Sequence, residues 1–210
     1  MARVVIVDYG AGNLGSVARA VRHVGYCPDV THDCRALDDA EALIVPGVGA
    51  AADTMRNLRE RGLEQPIREY IASGRPFLGV CMGMQALFTR SEEDKGQDCL
   101  DIVPGVMRRF EGKGLKVPHM GWNTVRQVRQ HPVFESIPDN AYFYFVHSYY
   151  ADEVDPSIVI GETEYGRPFP AIIARDNIVA AQFHPEKSSD HGLRIYANFL
   201  RHALGGGSPK

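Results

Sequence analysis

Nine residues, Phe77-Leu78-Gly79-Val80-Cys81-Met82-Gly83-Met84-Gln85, narrow the possible folds more than any other part of the chain. The short apolar run after Pro76 reads as a buried strand, and Met84 to Phe88 reads as the start of a helix. Between them lies Gly-x-Cys-x-Gly, the thiol counterpart of the Gly-x-Ser-x-Gly turn that lifts a nucleophile out of a sheet. So sharp a turn strains the backbone at its central residue, and only small neighbours let the chain close on itself. Cys81 would stand at a helix N-terminus, where partial positive charge favours the thiolate. The amides that follow it would be free for a developing oxyanion. The same residues also fit a cysteine packed in a buried strand, because free cysteine is among the most buried residue types. Only the rest of the chain separates the two readings.

The first half of the chain repeats a strand–loop–helix rhythm. Arg3 to Asp8 is a Val/Ile-rich strand covered on both faces. The glycine loop Tyr9 to Gly15 follows, then a helix that Ser16 can cap, with Val17, Ala20, Val21 and Val24 on one face and Gly25 at its end. Gly10-Ala11-Gly12-Asn13-Leu14-Gly15 fits the dinucleotide fingerprint G-x-G-x-x-G. The acid needed some 20 residues on has only Asp29 and Asp33 as candidates, neither clearly ending a strand. A loop that shapes a site or meets a partner is the better reading. A second unit ends in the strand Ala42 to Pro46 and the loop Gly47-Val48-Gly49-Ala50, at a strand end where α/β sheets bind ligands. Helices are expected from Thr54 to Arg61 and from Pro66 to Ser73, with Gly74 beyond the second, and a solvated loop from Ser91 to Asp98. From Leu100 onward strand-like runs dominate, at 102–104, 106–110, 142–146, 158–160, 171–174 and 178–183. A hairpin turn is expected at Arg175-Asp176-Asn177 and a closing helix from about Asp190 to Leu204. One domain over 1–204 and a flexible tail over 205–210 are expected.

The totals remove several function classes. Lys+Arg 23 against Asp+Glu 26 gives a net charge of −3 in 210 residues, with no long basic run, so nucleic-acid and membrane-surface binding lack electrostatic support. No apolar stretch approaches the ~20 residues that span a bilayer, and the N-terminus reads as a strand rather than a signal peptide. Cys27, Cys34, Cys81 and Cys99 show no C-x-x-C pairing and no clustered metal ligands, so no metal and a reducing, cytoplasmic location are expected.

A second constellation completes the first. The last strand runs into His184-Pro185-Glu186-Lys187-Ser188. A residue before proline is driven toward extended backbone, and in extended chain residues i and i+2 share a side. His184 and Glu186 therefore project together, the carboxylate on one ring nitrogen and the other nitrogen free for a thiol. Alone, His-Pro-Glu fits a capped strand end. Paired with a cysteine elbow upstream, it reads as base and orienter for a Cys81 nucleophile.

Pro46-Gly47-Val48-Gly49, Gly79 to Gln85 and His184 to Ser188 resemble the motifs of the class I (triad) glutamine amidotransferases. More narrowly, Asp8 to Leu14, Val117-Pro118-His119-Met120-Gly121-Trp122-Asn123 and Phe145-Val146-His147-Ser148-Tyr149-Tyr150 look like the glutaminase subunits of imidazole glycerol phosphate synthases. The resemblance implies a flavodoxin-like α/β fold with a central, mostly parallel sheet, flanking helices and a β-rich C-terminal half. It implies hydrolysis of L-glutamine through a Cys81 thioester, without a cofactor. The ammonia would pass to a separate (β/α)8 cyclase subunit that makes imidazole glycerol phosphate and AICAR in histidine biosynthesis. Val48, Gly49 and Met82 would supply the oxyanion amides. Gly49, Gln85, His147, Ser148 and Tyr149 would bind the substrate. Asn13, His119, Met120, Trp122, Asn123 and Lys187 would face the partner, Trp122 being the only tryptophan. Three alternatives stay open: a glutaminase serving another acceptor, a cysteine peptidase or γ-glutamyl hydrolase with the same triad, and a regulatory module. The last would be marked by loss of Cys81, His184 or Glu186, and all three are present.

Overall fold

Unbroken apolar runs make the centre of the sheet. Four strands, β1 (Val4–Val7), β3 (Ala42–Gly47), β4 (Phe77–Cys81) and β13 (Ile178–Ala181), are buried at every position, as strands covered on both faces must be. Between them in the chain lie α1 (Leu14–His23), β2 (Pro28–Thr31), α2 (Ala51–Glu60), α3 (Glu64–Ala72) and α4 (Met82–Gln85). Then follow β5 (Phe88–Ser91), β6 (Gln97–Asp98), β7 (Val103–Arg109), β8 (His119–Gln127), β9 (Ala141–His147), β10 (Tyr149–Asp152), β11 (Val159–Glu164) and β12 (Pro168–Arg175). Helix α5 (Ser189–Ala203) closes the order. This is a computed structural model, and it describes residues 2–112 and 114–205. Beyond Gly205, the expected tail lies outside the described residues.

Among the described residues the large sheet runs β2-β1-β3-β4-β13-β12-β11-β8-β9. Its first five strands pair in parallel, and from β13 to β9 every pairing is antiparallel. The burial pattern changes with the pairing: β9 alternates inside and outside, the signature of a strand with one wet face. A second sheet, β10-β7-β5-β6, stands beside the elbow. Two apolar layers cover the large sheet. Val17 and Val21 of α1 and Ile195, Tyr196 and Phe199 of α5 pack on one face. Met55 and Leu58 of α2 and Ile67, Tyr70 and Ile71 of α3 pack on the other.

Several local expectations need correction. The helix after the elbow begins at Met82, directly behind Cys81, and ends at Gln85; Phe88 already belongs to β5, which pairs with β6 and β7. Helix α1 is entered at Asn13, whose carbonyl accepts from Ser16 and Val17 N–H at 3.0 Å each. Ser16 instead lies within the helix, its hydroxyl accepting from Arg19. The segment 91–98 is not a free loop. It contains the end of β5, a 3-10 turn at Glu93–Lys95 and β6. Asp94 and Lys95 adopt positive φ there, and Glu93 is turned inward to accept the Ala51 N–H at 2.6 Å, where α2 starts.

Candidate active site

Cys81 ends β4 with φ 54° and ψ −106°, a conformation that a side-chain-bearing residue keeps only when its surroundings impose it. The surroundings are glycines. A methyl at Gly79 would stand 2.7 Å from the Gly83 carbonyl oxygen, one at Gly47 would stand 2.5 Å from Met82 Cβ, and one at Gly83 would overlap the Val45 carbonyl. Gly47 is also the register partner of Cys81 across β3 and β4. The elbow therefore closes only because these three positions lack side chains.

His184 follows β13 in extended conformation, its N–H donating to Tyr144 O at 2.9 Å. Pro185–Lys187 then forms a 3-10 turn, so Glu186 does not share a strand face with His184. The turn folds the carboxylate back, with Oε1 2.8 Å from His184 Nδ1 and both side chains only 1% exposed. The contact is the expected one, reached by a different backbone path. Ser188 pins that path at both ends: its hydroxyl donates to His184 O at 2.6 Å and accepts from Tyr144 N–H at 2.9 Å. Tyr196 of α5 donates to the other Glu186 oxygen at 3.4 Å. His184 Nε2 is buried without a hydrogen-bond partner among the described residues, and the charge that acts on this ring beside that of Glu186 is that of Cys81. Burial alone would push the imidazolium down. The negative charge of Cys81, joined by Glu186, outweighs it and holds His184 at about 10. The arrangement can therefore present a thiolate beside an imidazolium and move a proton between sulfur and a leaving group.

These groups open into a cavity of about 250 Å3 at the carboxyl end of the parallel strands. Val48, Gly49, Met82, Gln85, His147, Ser148 and Tyr149 line it, so the structure brings together every residue expected near the oxyanion and the substrate. Gly12 lies against Gly47, packing the first glycine loop on the second. Gln85 Nε2 donates to Gln182 Oε1 at 2.9 Å and to Tyr149 O at 3.4 Å, and Gln182 Nε2 reaches Cys81 Sγ at 3.8 Å. A larger cleft of about 400 Å3 lies at the other end of the strands, around Gly74, Asn177 and His202, with no thiol in its lining. No three His, Cys, Asp or Glu side chains among the described residues come together as a metal site.

The residues expected to face a partner divide. Met120 and Trp122 are 62% and 51% exposed on the outer face of β8. Lys187 is exposed, its ammonium 5.7 Å from the Tyr144 ring, which Trp122 meets edge-on at 6.1 Å. Asn13 is partly exposed at the start of α1. His119 is a correction: it is 3% exposed and stacks between Phe145 and Tyr165, because alternation along β8 turns 119 and 123 inward where 120 and 122 point out. Asn123 is likewise engaged inward, with His119 Nε2 at 3.2 Å and Glu164 O at 2.9 Å.

Three residues at the site escaped the sequence reading. Gln182 carried a signal, as the only polar residue in an apolar strand run. Glu93, on the cavity wall, was hidden in a run of charges, and burial raises its carboxyl above the ordinary range. Tyr196 is one aromatic on an ordinary amphipathic helix.

The class-I glutamine amidotransferase family profile matches residues 5–203. The imidazole glycerol phosphate synthase subunit HisH of Herpetosiphon aurantiacus is 52% identical over 205 residues, covering 98% of this chain and 97% of that protein. The subunits of the same name from Chloroflexus aurantiacus and Pseudomonas putida are each 48% identical, covering 94% and 95% of this chain and 95% and 97% of theirs. Among solved structures, a glutamine amidotransferase superposes with a TM-score of 0.75 at 20% identity, covering 95% of this chain and 98% of that one. A glutamine amidotransferase from Thermotoga maritima gives 0.68 at 16% identity, covering 97% and 98%. With a family match over nearly its whole length and relatives near 50% identity, the chain belongs to the class-I glutamine amidotransferases, alongside the HisH subunits of imidazole glycerol phosphate synthase.

Proposed function

We propose that this chain is the glutaminase subunit of an imidazole glycerol phosphate synthase, releasing ammonia from L-glutamine for a (β/α)8 cyclase partner in histidine biosynthesis. The observation that carries the reading is the strained Cys81 elbow set against a His184–Glu186 pair that is 1% exposed and 2.8 Å apart. The Cys81 thiolate attacks the side-chain amide carbon. His184, already cationic, gives its proton to the departing ammonia. A γ-glutamyl thioester remains. Neutral His184 then takes a proton from water, which displaces the sulfur and leaves glutamate. Glu186 holds the ring in register and favours its charged form through both steps.

The oxyanion of each tetrahedral intermediate is met by Met82 N–H, at the start of α4, and by an amide of the Val48-Gly49 loop. Gln85 and the segment His147-Ser148-Tyr149 hold the amino-acid end, and Glu93 offers the counter-charge for the substrate's ammonium across the same cavity. A cavity of about 250 Å3 is small beside drug-sized sites of ~300–1,000 Å3 and suits one amino acid better than a peptide.

Ammonia is mostly protonated near neutral pH and diffuses away in water, so its source must dock on its consumer. Met120 and Trp122, with Lys187 and Asn13, form the side that meets the cyclase. A cytoplasmic location goes with this reading; no helix among the described residues is long and apolar enough to cross a membrane. The test is glutamate release from glutamine, with and without the co-expressed cyclase. Turnover that needs the cyclase is expected. Release of glutamate from γ-glutamyl peptides, but none from glutamine with the cyclase present, would replace this reading by a hydrolase.

A further inference from the structure

We propose that Asn123, His119 and His147 form a one-directional hydrogen-bond relay that positions the Tyr149 carbonyl, and through it the wall that holds the substrate's amino-acid end. The inference rests on the glutaminase reading for its substrate and on this chain's own geometry for the relay.

Backbone groups set the direction at both ends. His147 Nδ1 lies 2.7 Å from Tyr149 O, and a carbonyl only accepts, so Nδ1 carries the proton. Neutral His147 then has a bare Nε2, which His119 Nδ1 must donate to at 3.0 Å. His119 Nε2 is left as an acceptor, 3.2 Å from Asn123 Nδ2. The Asn123 amide cannot be reversed, because its oxygen accepts Thr124 N–H at 2.8 Å and its nitrogen donates to Glu164 O at 2.9 Å. Each ring therefore has one tautomer that satisfies every bond. The surroundings keep both rings neutral: the walls are Phe110, Phe145, Tyr165 and Phe169, and among the described residues no carboxylate bonds either ring. Burial lowers His119 to about 4 and His147 to about 3, the latter despite its bond to Tyr149.

The end point matters because Tyr149 O is shared. It also accepts from Gln85 Nε2 at 3.4 Å, and Gln85 in turn holds Gln182, which reaches the Cys81 sulfur. His119 and His147 face each other across β8 and β9, so the relay crosses from the strand bearing Met120 and Trp122 to the cavity wall. His119 and His147 touch no reacting atom in this scheme. They are positioning residues.

The test compares two substitutions in the full complex with its cyclase. His119→Phe keeps the ring stack and removes the donor to His147. His119→Asn loses the stack and keeps a donor near the Nδ1 position. A relay predicts that His119→Phe raises KM for glutamine about tenfold, with kcat changed much less, as for loss of a bond made equally in ground and transition state. His119→Asn should restore most of that loss. A wild-type KM in His119→Phe, or a worse KM in His119→Asn than in His119→Phe, would mean that packing rather than hydrogen bonding matters and would overturn the relay. Imidazole 15N chemical shifts of the unmodified protein test it without any variant: His147 must be wholly protonated at Nδ1. A predominant Nε2–H form sinks it. These shifts do not depend on turnover, so absence of glutaminase activity in the wild type would count against the function and leave the relay testable.

Discussion

His184, His119 and His147 are buried to nearly the same depth, at 1%, 3% and 5% exposed, yet their surroundings push their pKa values in opposite directions. Burial lowers the two rings of the β8–β9 pair, to about 4 and about 3, while His184 is held at about 10. Desolvation opposes the charged form at all three. What differs is the neighbourhood: His184 lies between a sulfur and a carboxylate, whereas His119 and His147 meet aromatic faces, an amide and a carbonyl. Depth sets the penalty for charge, and the partners decide whether it is overcome. One cavity thus has a proton donor, His184, and a fixed scaffold ring, His147, in its lining.

Removing the sulfur breaks the contrast most completely. Cys81→Ser should abolish glutamine-dependent glutamate release, by about 10^3-fold or more, as expected for a lost nucleophile. It should leave cyclase binding and ammonia-dependent synthesis intact. It should also lower the His184 pKa, because the Cys81 charge is the first of the causes that overcome burial. A His184 that titrates unchanged in Cys81→Ser would show that Glu186 alone sustains the cation. Glu186→Gln comes next. It keeps the shape and removes the carboxylate, and analogous changes in triads weaken turnover by factors up to ~10^4. A fall in kcat of at least ~10^2 at saturating glutamine is expected. A loss confined to KM would remove Glu186 from the proton-transfer scheme.

The neutral pair makes its own prediction through pH. The unfolded chain binds protons on these rings below their ordinary 6.5, and the folded chain refuses them until about 4 and about 3. The stability they contribute is therefore full above about pH 6.5 and is lost as pH falls toward those values, by up to ~1.4 kcal/mol per pH unit for each ring. His131, half-buried beside His202, adds in the same direction. Urea midpoints at pH 7 and pH 5 read this above the carboxylate range, and His119→Phe should show a shallower slope. Identical slopes in the two proteins would mean that His119 is not held neutral.

Legibility from sequence followed range. The elbow needs only neighbouring glycines, and His184–Glu186 lie two residues apart behind a proline, so local rules reached both. Even there the local picture was incomplete, because a 3-10 turn rather than a shared strand face joins the dyad. Strand 119–127 shows the limit. Its motif is visible in the sequence, but which side of it is wet depends on pairing with β9 and on the aromatic layer beneath, and these turn His119 inward. Glu93, Gln182 and Tyr196 reach the site from three separate elements, and no local pattern joins them. The same holds for the sheet: apolar runs mark buried strands, but only the pairing reveals that the order turns antiparallel after β13.

The finest test of the contrast is Tyr196→Phe. Tyr196 is fully buried in α5, and among the described residues its hydroxyl is the only group besides His184 that bonds the Glu186 carboxylate. Burial and the nearby Glu186 push the phenol up, so it stays a donor across the working pH range. Phenylalanine preserves the packing of the ring and removes one bond that, at 3.4 Å, is long. Its loss should therefore fall at the low end of the ~0.5–1.5 kcal/mol of an ordinary hydrogen bond, about a two- to threefold decrease in kcat. KM for glutamine should not move, because Tyr196 lies behind the dyad and off the cavity wall. A decrease as large as that of Glu186→Gln would mean that the carboxylate holds its orientation from α5 rather than from His184. The cation would then depend on the helix packing behind it as much as on the sulfur in front.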